Sequence, residues 1–310
     1  MSKPTITTTY AGESAKKYIA AQLLSGTTLN NGLVEILPNV RYKSVIQKVA
    51  TSGIIKNSAC DFDDQGTIAI TERVLTTEEF MVNVKFCTKQ FVDSWEAVEM
   101  GVSAFKNMPR SFSDFIIGQF AKEISASVET SIWTGTNATA GQVDGYQTLW
   151  KADGSVVSIS GTTVTHANVI TEMSKLIDNA PNTIYGKEDL IIYASTEVIQ
   201  AYIRAMGGYA IGVGANGFEN KGQMWYENGN QLTFDGVPIA LAAGMESNSM
   251  ALAQKSNLFF GTGLLDDLNE VRVIDTSETL GDRNARFVSR FAYGIQYGVS
   301  EEIVHYCAAC

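Results

Sequence analysis

The feature that most constrains this chain is a long helical pattern that begins after Pro109. Apolar residues recur there at every fourth position, at Phe112, Ile116, Phe120, Ile124, Val128 and Ile132. Because this spacing marks one face of an α-helix, it predicts a single helix of roughly six turns over about residues 111–134. The charged residues Lys122, Glu123 and Glu129 fall on other faces, where we expect solvent.

The rest of the chain mixes shorter helices with strands. One helix is predicted from about Thr165, as its N-cap, to Pro181, and another from Ser195 to Met206, with the buried strand LIIYA at residues 190–194 between them. Near the end, large apolar residues alternate strictly with small or polar ones, as in a half-buried strand: Phe291, Tyr293, Ile295, Tyr297 and Val299. Asp235-Gly236 has the chemistry of a tight turn. The fold class is therefore α+β, with antiparallel strands from distant parts of the chain.

Residues 40–75 predict a long two-stranded projection. The pattern is strand-like at both ends, with Val45, Ile46 and Val49 on one side and Ile68 and Ile70 on the other, and the turn-rich sequence KNSACDFDDQG lies between. An isolated hairpin has little core of its own. We therefore expect this one to need a partner surface.

Composition narrows the function. The chain has 310 residues, 45% of them hydrophobic, so it can bury a sizeable core, whereas only 18% are charged. A low charged fraction suggests that part of the surface faces other protein, and no apolar run is long enough to cross a membrane. The net charge of −10 argues against binding nucleic acid through phosphate neutralisation.

The four cysteines, Cys60, Cys87, Cys307 and Cys310, are too scattered for a disulfide scaffold, and we expect all of them to be reduced thiols. Cys307 and Cys310 have the spacing of a metal or redox pair but lack a second ligand pair.

No motif indicates catalysis, a cofactor or a metal. Gly212, Gly214 and Gly217 match GxGxxG, but without the strand and helix that a nucleotide site requires, so we expect a glycine-rich loop. His166 is expected at the surface and His305 at the end of a sheet. The adjacent acids Asp63-Asp64, Glu78-Glu79, Asp266-Asp267 and Glu301-Glu302 would point to opposite faces of strands and cannot act as carboxylate dyads. We expect a protein that is not an enzyme.

The last segment, residues 255–306, carries a family resemblance. Its phrases NLFFGTGLLDD and FAYGIQYGVSEEIV resemble the closing segment of HK97-like major capsid proteins of tailed bacteriophages. The order of elements resembles that family over nearly the whole chain. The resemblance implies an N-terminal arm and short helix (1–30), an extended loop (31–80), a peripheral domain with a spine helix (81–139), an axial domain (140–250) and the returning peripheral strands (251–310).

The resemblance also implies a function. Copies of the chain would assemble as hexamers and pentamers into an icosahedral head, in the host cytoplasm, and enclose double-stranded DNA without sequence-specific binding. A separate scaffolding protein and a portal are implied as partners, and decoration proteins are compatible with this reading. The alternatives are an encapsulin-like nanocompartment shell, which encloses protein cargo, and a soluble enzyme of unknown type.

Charge is segregated in the predicted projection. Its first half is basic, and its second half is acidic around Asp61, Asp63 and Asp64. One interpretation is a solvated hairpin whose strands pair internally. The other is that the acidic segment docks on a basic patch of an adjacent subunit, made by Arg283, Arg286 or Arg290 near the returning strands.

Overall fold

The computed structural model describes residues 8–10, 26–55, 57, 66–87, 110–206, 232–263, 270–276, 281–282 and 284–308. Its helices are α1 (Thr27–Asn30), α2 (Arg110–Thr134), α3 (Tyr146–Ala152), α4 (Val169–Asp178) and α5 (Thr196–Met206). Its strands are β1 (Thr8–Tyr10), β2 (Glu35–Pro38), β3 (Lys43–Ser52), β4 (Thr67–Thr76), β5 (Glu78–Cys87), β6 (Val157–Ser160), β7 (Leu190–Ala194), β8 (Thr233–Phe234), β9 (Val237–Leu241), β10 (Met250–Gln254), β11 (Leu258–Thr262), β12 (Glu270–Asp275), β13 (Asn284–Tyr297) and β14 (Val304–Cys307).

The long helix is confirmed as α2, which runs for 25 residues. Ile124, Val128 and Ile132 are buried as the spacing predicted. Phe120 is half-buried and packs on Phe287 of β13, with ring centroids 4.8 Å apart. The side chains of Phe112 and Ile116 lie outside the described residues. Helix α2 is therefore the spine against which one face of a sheet is built.

That sheet is organised around β13, and we call it the β13 sheet. Its order is β1-β12-β13-β11-β2, and β5 also pairs with β13. The predicted alternation is confirmed, because Phe291, Tyr293, Ile295 and Tyr297 are all buried. Opposite-facing residues of β13 turn away from α2, as the period of two in a strand requires.

A second sheet, which we call the β10 sheet, has the order β6-β14-β10-β7-β9-β8. The predicted strand LIIYA is confirmed as β7, and all five of its residues are buried. Helices α4 and α5 cover one face, and their buried side chains share one hydrophobic cluster with those of the strands. The other face packs against aromatic residues of α2 and α3, among them Trp133 and Trp150.

Two local predictions are refined. Helix α4 begins at Val169 with Asn168 as its N-cap, and not at Thr165. The backbone N–H of Thr165 donates to Asn168 Oδ1 at 2.7 Å, so the chain turns once more before the helix starts. The turn at Asp235-Gly236 is confirmed. Both residues have positive φ, 47° and 81°, which a two-residue hairpin turn requires.

Strands β3 and β4 form a separate two-stranded antiparallel sheet, so the predicted hairpin is confirmed. Val45 pairs with Val74 and Val49 with Ile70, which places these residues on one face. The sequence pattern set Val45, Ile46 and Val49 on one side and Ile68 and Ile70 on the other, which was wrong: the register places Ile68 and Ile70 on the face of Val45 and Val49, and Ile46 on the opposite face. Neighbouring residues of a strand point to opposite faces, and Ile46 lies opposite Arg73 on the other side.

Candidate inter-subunit surfaces

One face of the β3–β4 hairpin is apolar and exposed. Val49 and Ile70 are each 62% exposed, and Ile68 is 70% exposed, although β-branched residues of a sheet are usually covered. Five residues make up this hairpin stripe: Val45, Val49, Ile68, Ile70 and Val74. At its middle Gln47 donates a hydrogen bond to Glu72 at 2.8 Å. The stripe is an apolar surface, interrupted by this one polar pair, with no cover among the described residues of its own chain.

The other face of the hairpin is seated on the body only at its root. Leu75 is fully buried against Gly261 of β11, where any side chain would clash with it. Gln296 donates to the carbonyl of Val74 at 3.2 Å. Residues 49–52 and 67–70 are exposed on both faces. The hairpin therefore has a fixed root, and among the described residues its outer half is held only by the pairing of β3 with β4.

The root is fastened by three residues that we call the root cluster: Arg73, Asp153 and Tyr297. Arg73 of β4 contacts Asp153 Oδ2 at 2.5 Å. The Tyr297 hydroxyl, at the end of β13, donates to the same oxygen at 2.7 Å. The guanidinium carbon of Arg73 lies 4.2 Å from the centre of the Tyr297 ring, within range of a cation–π contact. The hairpin, the end of α3 and β13 meet at this cluster.

The electrostatics of the root cluster follow from these contacts. The backbone N–H of Ser155, the Tyr297 hydroxyl and Arg73 hold the pKa of the Asp153 carboxyl well below its usual range. Burial and the bond to Asp153 raise the pKa of Tyr297. Asp153 is therefore an anion and Tyr297 a neutral donor at any physiological pH.

A second ion pair lies further along the hairpin. Lys48 of β3 contacts Glu301 at 2.8 Å, with side-chain exposures of 33% and 62%. The hydrogen bond from Lys48 lowers the pKa of Glu301. The sequence reading placed Glu301 and Glu302 on a strand, which was wrong, since they lie in a short 3-10 helix at Ser300–Glu302. An exposed pair of this kind adds about 0–1 kcal/mol.

Of the predicted docking residues, Arg286 and Arg290 lie on the exposed face of β13, away from α2. Lys85 is the cross-strand neighbour of Arg286, and Arg272 is that of Val288, so they share this face. We call Lys85, Arg272, Arg286 and Arg290 the basic face; the register also places Glu270 opposite Arg290 and Glu79 opposite Ala292 on it, so basic residues outnumber acidic ones there. Asp61, Asp63, Asp64 and Arg283 lie outside the described residues.

The sequence reading missed the role of Glu129. It expected a solvated charge, yet Glu129 is only 6% exposed. The Thr28 backbone N–H donates to Oε2 at 3.1 Å, and the Thr28 hydroxyl donates to Oε1 at 2.5 Å. The Thr27 hydroxyl donates to Oε1 at 3.0 Å. Glu129 thus fastens α1 to the long helix, and the sequence pattern, which puts Glu129 on a face away from the apolar run, gave no signal of this.

The two histidines lie where the sequence placed them. His166 is exposed in the turn before α4, and His305 is fully buried in β14. The side-chain nitrogen of Gln147 lies 3.3 Å from His305 Nε2, and the Gln147 oxygen accepts from the Glu246 N–H at 2.9 Å. This orientation makes Nε2 an acceptor and places the ring hydrogen on Nδ1. Burial lowers the pKa of His305 to about 4.

The cysteines differ from expectation. Cys307 is disulfide-bonded, so the prediction that every thiol is reduced was wrong for it. Cys87 is a free thiol. Cys60, Cys310 and the glycine-rich segment with Gly212, Gly214 and Gly217 lie outside the described residues. Spacing of cysteines alone does not report whether two sulfurs meet.

Two kinds of site are absent from the part of the chain that the structure describes. No group of three or more His, Cys, Asp or Glu side chains is placed to hold a metal ion. No helix within the described ranges combines the length and apolar character needed to cross a bilayer.

Comparisons by sequence return nothing: no family model matches the chain, and no curated protein matches it. Comparison of folds is informative. The chain is similar to a chain of the satellite phage P4 procapsid, a structure that includes the size-determination (Sid) protein. The TM-score is 0.59 at 9% identity, over 94% of this chain and 98% of that one.

Two further structures agree. A chain in the capsid of the native GTA particle has a TM-score of 0.60 at 12% identity, over 92% of this chain and 91% of that one. A chain from Gordonia phage Cozz has a TM-score of 0.59 at 12% identity, over 92% and 87%. The predicted fold is confirmed: the chain has the α+β HK97-like fold of viral shell proteins.

Proposed function

We propose that this chain is the major capsid protein of a tailed bacteriophage. It assembles as hexamers and pentamers that close into an icosahedral head around double-stranded DNA. The observation that carries the proposal is the likeness to capsid chains over more than nine-tenths of the chain, with 94% of it covered in one case. A shell role also accounts for a chain with an uncovered apolar hairpin, because closed shells bring the same patches together repeatedly by symmetry.

The hairpin is the proposed inter-subunit element. A two-stranded sheet with both faces in water is marginally stable, and exposed contiguous apolar patches mark interaction sites. In a shell, a neighbouring subunit would cover the hairpin stripe. Burial of the hairpin stripe by a neighbour would stabilise the outer half of the hairpin, and this burial occurs only in the assembled shell. The gain in free energy therefore favours assembly.

In this proposal, complementary charge decides which faces of two subunits meet. The segment of Asp61, Asp63 and Asp64 joins β3 to β4 in sequence, and the basic face of another subunit, with Arg286 and Arg290, has the complementary sign. Arg283 is the third predicted basic partner. Each exposed pair contributes only about 0–1 kcal/mol. Repeated in every subunit of a closed shell, such pairs would bias which faces meet.

The other partners follow from the same proposal. Assembly in the host cytoplasm would use a separate scaffolding protein and a portal, and decoration proteins would bind outside. A net charge of −10 suits a container, because a lining that does not adhere to phosphate leaves packed DNA free to enter and leave. The likeness to phage and GTA capsids favours this over an encapsulin-like compartment and over a soluble enzyme.

The test is to purify particles from cells that make the chain with and without its scaffolding protein, and to treat particles from infected cells with nuclease. Nuclease-resistant DNA within icosahedral particles is the expected result. Closed shells that contain protein cargo and no DNA would indicate a nanocompartment instead. A chain that stays monomeric at every concentration would contradict any shell role.

A further inference from the structure

We infer that Asp153 is a positioning residue that fixes the direction of the β3–β4 hairpin relative to the body of its own subunit. The effect on contacts between subunits rests on the proposed function, because the direction of the hairpin decides where it can contact a neighbouring subunit. The direction of the hairpin itself is a property of a single subunit.

The Asp153 carboxylate is satisfied by three donors from three segments. Arg73 and the Tyr297 hydroxyl both bond to Oδ2, at 2.5 and 2.7 Å, and the Ser155 backbone N–H donates to Oδ1 at 2.9 Å. Ser155 is local to Asp153, whereas Arg73 belongs to the hairpin and Tyr297 to β13. One carboxylate therefore joins the hairpin to β13 and to the end of α3.

The hairpin is attached to the body at Leu75 and at Arg73, and more weakly through the Gln296 bond to the Val74 carbonyl and the exposed Lys48–Glu301 pair. Leu75 is buried at the base of β4, and Arg73 lies two residues further out on the same face. Without the Arg73 contacts, the hairpin keeps only Leu75, one hydrogen bond from Gln296 and an exposed ion pair, and we expect it to pivot about its base. The stack of Arg73 on Tyr297, with its bond to Asp153, removes that freedom.

The hairpin then acts as a lever. From Leu75 to Thr67 the strand spans about 25 Å at roughly 3.3 Å per residue. A tilt of about 15° at the root moves the outer end by about 6 Å, which is more than the spacing between paired strands. A small error at the root cluster therefore misplaces the hairpin stripe by a whole strand.

The second ion pair cannot perform this task as well. Lys48 and Glu301 are both more exposed than Arg73 and Asp153, and neither stacks on a ring. A partly buried carboxylate with several directional bonds restricts the geometry of its partners more than an exposed pair does. Glu301 therefore offers a matched control: it is the other acidic partner of the same hairpin, without the positioning role.

The experiment measures distances in the unassembled subunit at low protein concentration. Spin labels are attached to genetically encoded keto amino acids that replace Ile55 beyond β3 and Ile170 on α4, which are 97% and 50% exposed. Native cysteines stay untouched. Pulsed electron resonance compares the parent with Arg73→Met, Asp153→Asn and Glu301→Gln, and thermal unfolding monitors the fold of each.

We expect one narrow distance distribution in the parent and in Glu301→Gln. In Arg73→Met and Asp153→Asn the distribution should broaden by about 6 Å for a tilt of about 15° at the root, while each variant still unfolds in one cooperative transition at a somewhat lower thermal midpoint. A distribution that is unchanged in both variants, or equally broad in all four proteins, would overturn the inference. So would loss of the whole fold in both variants, which would make the cluster structural. Because no step involves assembly, failure to form shells would count against the proposed function alone.

Discussion

The buried carboxylate of Glu129 accepts hydrogen bonds from both the backbone N–H and the hydroxyl of Thr28. Trp133, one turn further along α2, donates its indole N–H to the same Thr28 hydroxyl at 2.8 Å. The hydroxyl of Thr28 is therefore both donor and acceptor in a closed network. A short helix near the start of the chain is thus fixed to the long helix by polar contacts in an apolar setting.

Replacement of Glu129 should destabilise the subunit strongly. Glu129→Ala leaves the Thr28 N–H buried without a partner and removes charge-assisted bonds, for a loss of about 3 kcal/mol in the free energy of unfolding. Denaturant unfolding of the unassembled subunit measures it. Glu123→Ala, at an exposed position of the same helix, is the control and should change little. Equal effects of the two variants would mean that the Glu129 network does not stabilise the subunit.

Acid should weaken the subunit through His305. Its pKa is lowered from 6.5 to about 4 by burial, so the unfolded chain binds a proton more readily than the folded one between these values. The stability contributed by neutral His305 is complete above pH 6.5 and is lost as the pH falls to about 4. The total loss is on the order of 3 kcal/mol, from about 1.4 kcal/mol per pKa unit.

Unfolding free energies measured from pH 7 to pH 4 test this expectation. His305→Gln should flatten the curve in that range, whereas His166→Gln, at an exposed position, should leave its shape unchanged. Asp153, whose pKa is lowered, loses its contribution only at lower pH. A parent curve that His305→Gln does not alter would contradict the assignment.

The hairpin stripe should matter for assembly and not for folding. Val49→Thr with Ile70→Thr makes an apolar cross-strand pair of the stripe polar where it is already in water, so subunit stability should change little. If a neighbour covers the stripe, burial of each of these two side chains contributes about 1 kcal/mol to the free energy of the subunit contact. The protein concentration that the variant needs for assembly should therefore be at least about tenfold higher than that of the parent. Light scattering during assembly measures this change. The control is Ala50→Ser with Ala69→Ser, a cross-strand pair on the opposite face. Equal assembly of both variants would exclude the stripe as a contact.

Much of the fold was predictable because its signals are local. The period of two in β13 and the period of four in α2 are set by burial along one element, and both predictions were confirmed. The functional contacts were harder. Arg73 and Asp153 are 80 residues apart, and Thr28 and Glu129 are 101 apart. In the sequence, Arg73, Asp153 and Glu129 look like ordinary surface charges, because nothing near them along the chain indicates their partners.

The predicted docking surface was also predictable only in part. The sequence identified Arg286 and Arg290 by charge, and the structure places them on one exposed face with Lys85 and Arg272, which charge counting along the chain did not select. Cross-strand neighbours share a face whatever their separation in sequence. Lys85 and Arg272 could not be predicted because the sequence does not show how β13 pairs with β5 and β12.

The acidic segment gives a salt-dependent prediction. Asp61→Asn, Asp63→Asn and Asp64→Asn together should leave the subunit folded but weaken assembly. The defect should be smaller at high salt, because screening already removes most of the attraction in the parent. Shell yields across a salt series measure it. Asp178→Asn, an exposed acid at the end of α4, is the control. A triple variant that matches the parent at low ionic strength would eliminate this contact.

The central claim is that this chain closes into icosahedral shells. Electron microscopy of the purified protein, with and without its scaffolding protein, tests it most directly. We expect closed particles built from hexamers and pentamers, with the β3–β4 hairpin covered by a neighbouring subunit. Tubes of fixed diameter under all conditions, or a protein that remains monomeric at every concentration, would contradict it.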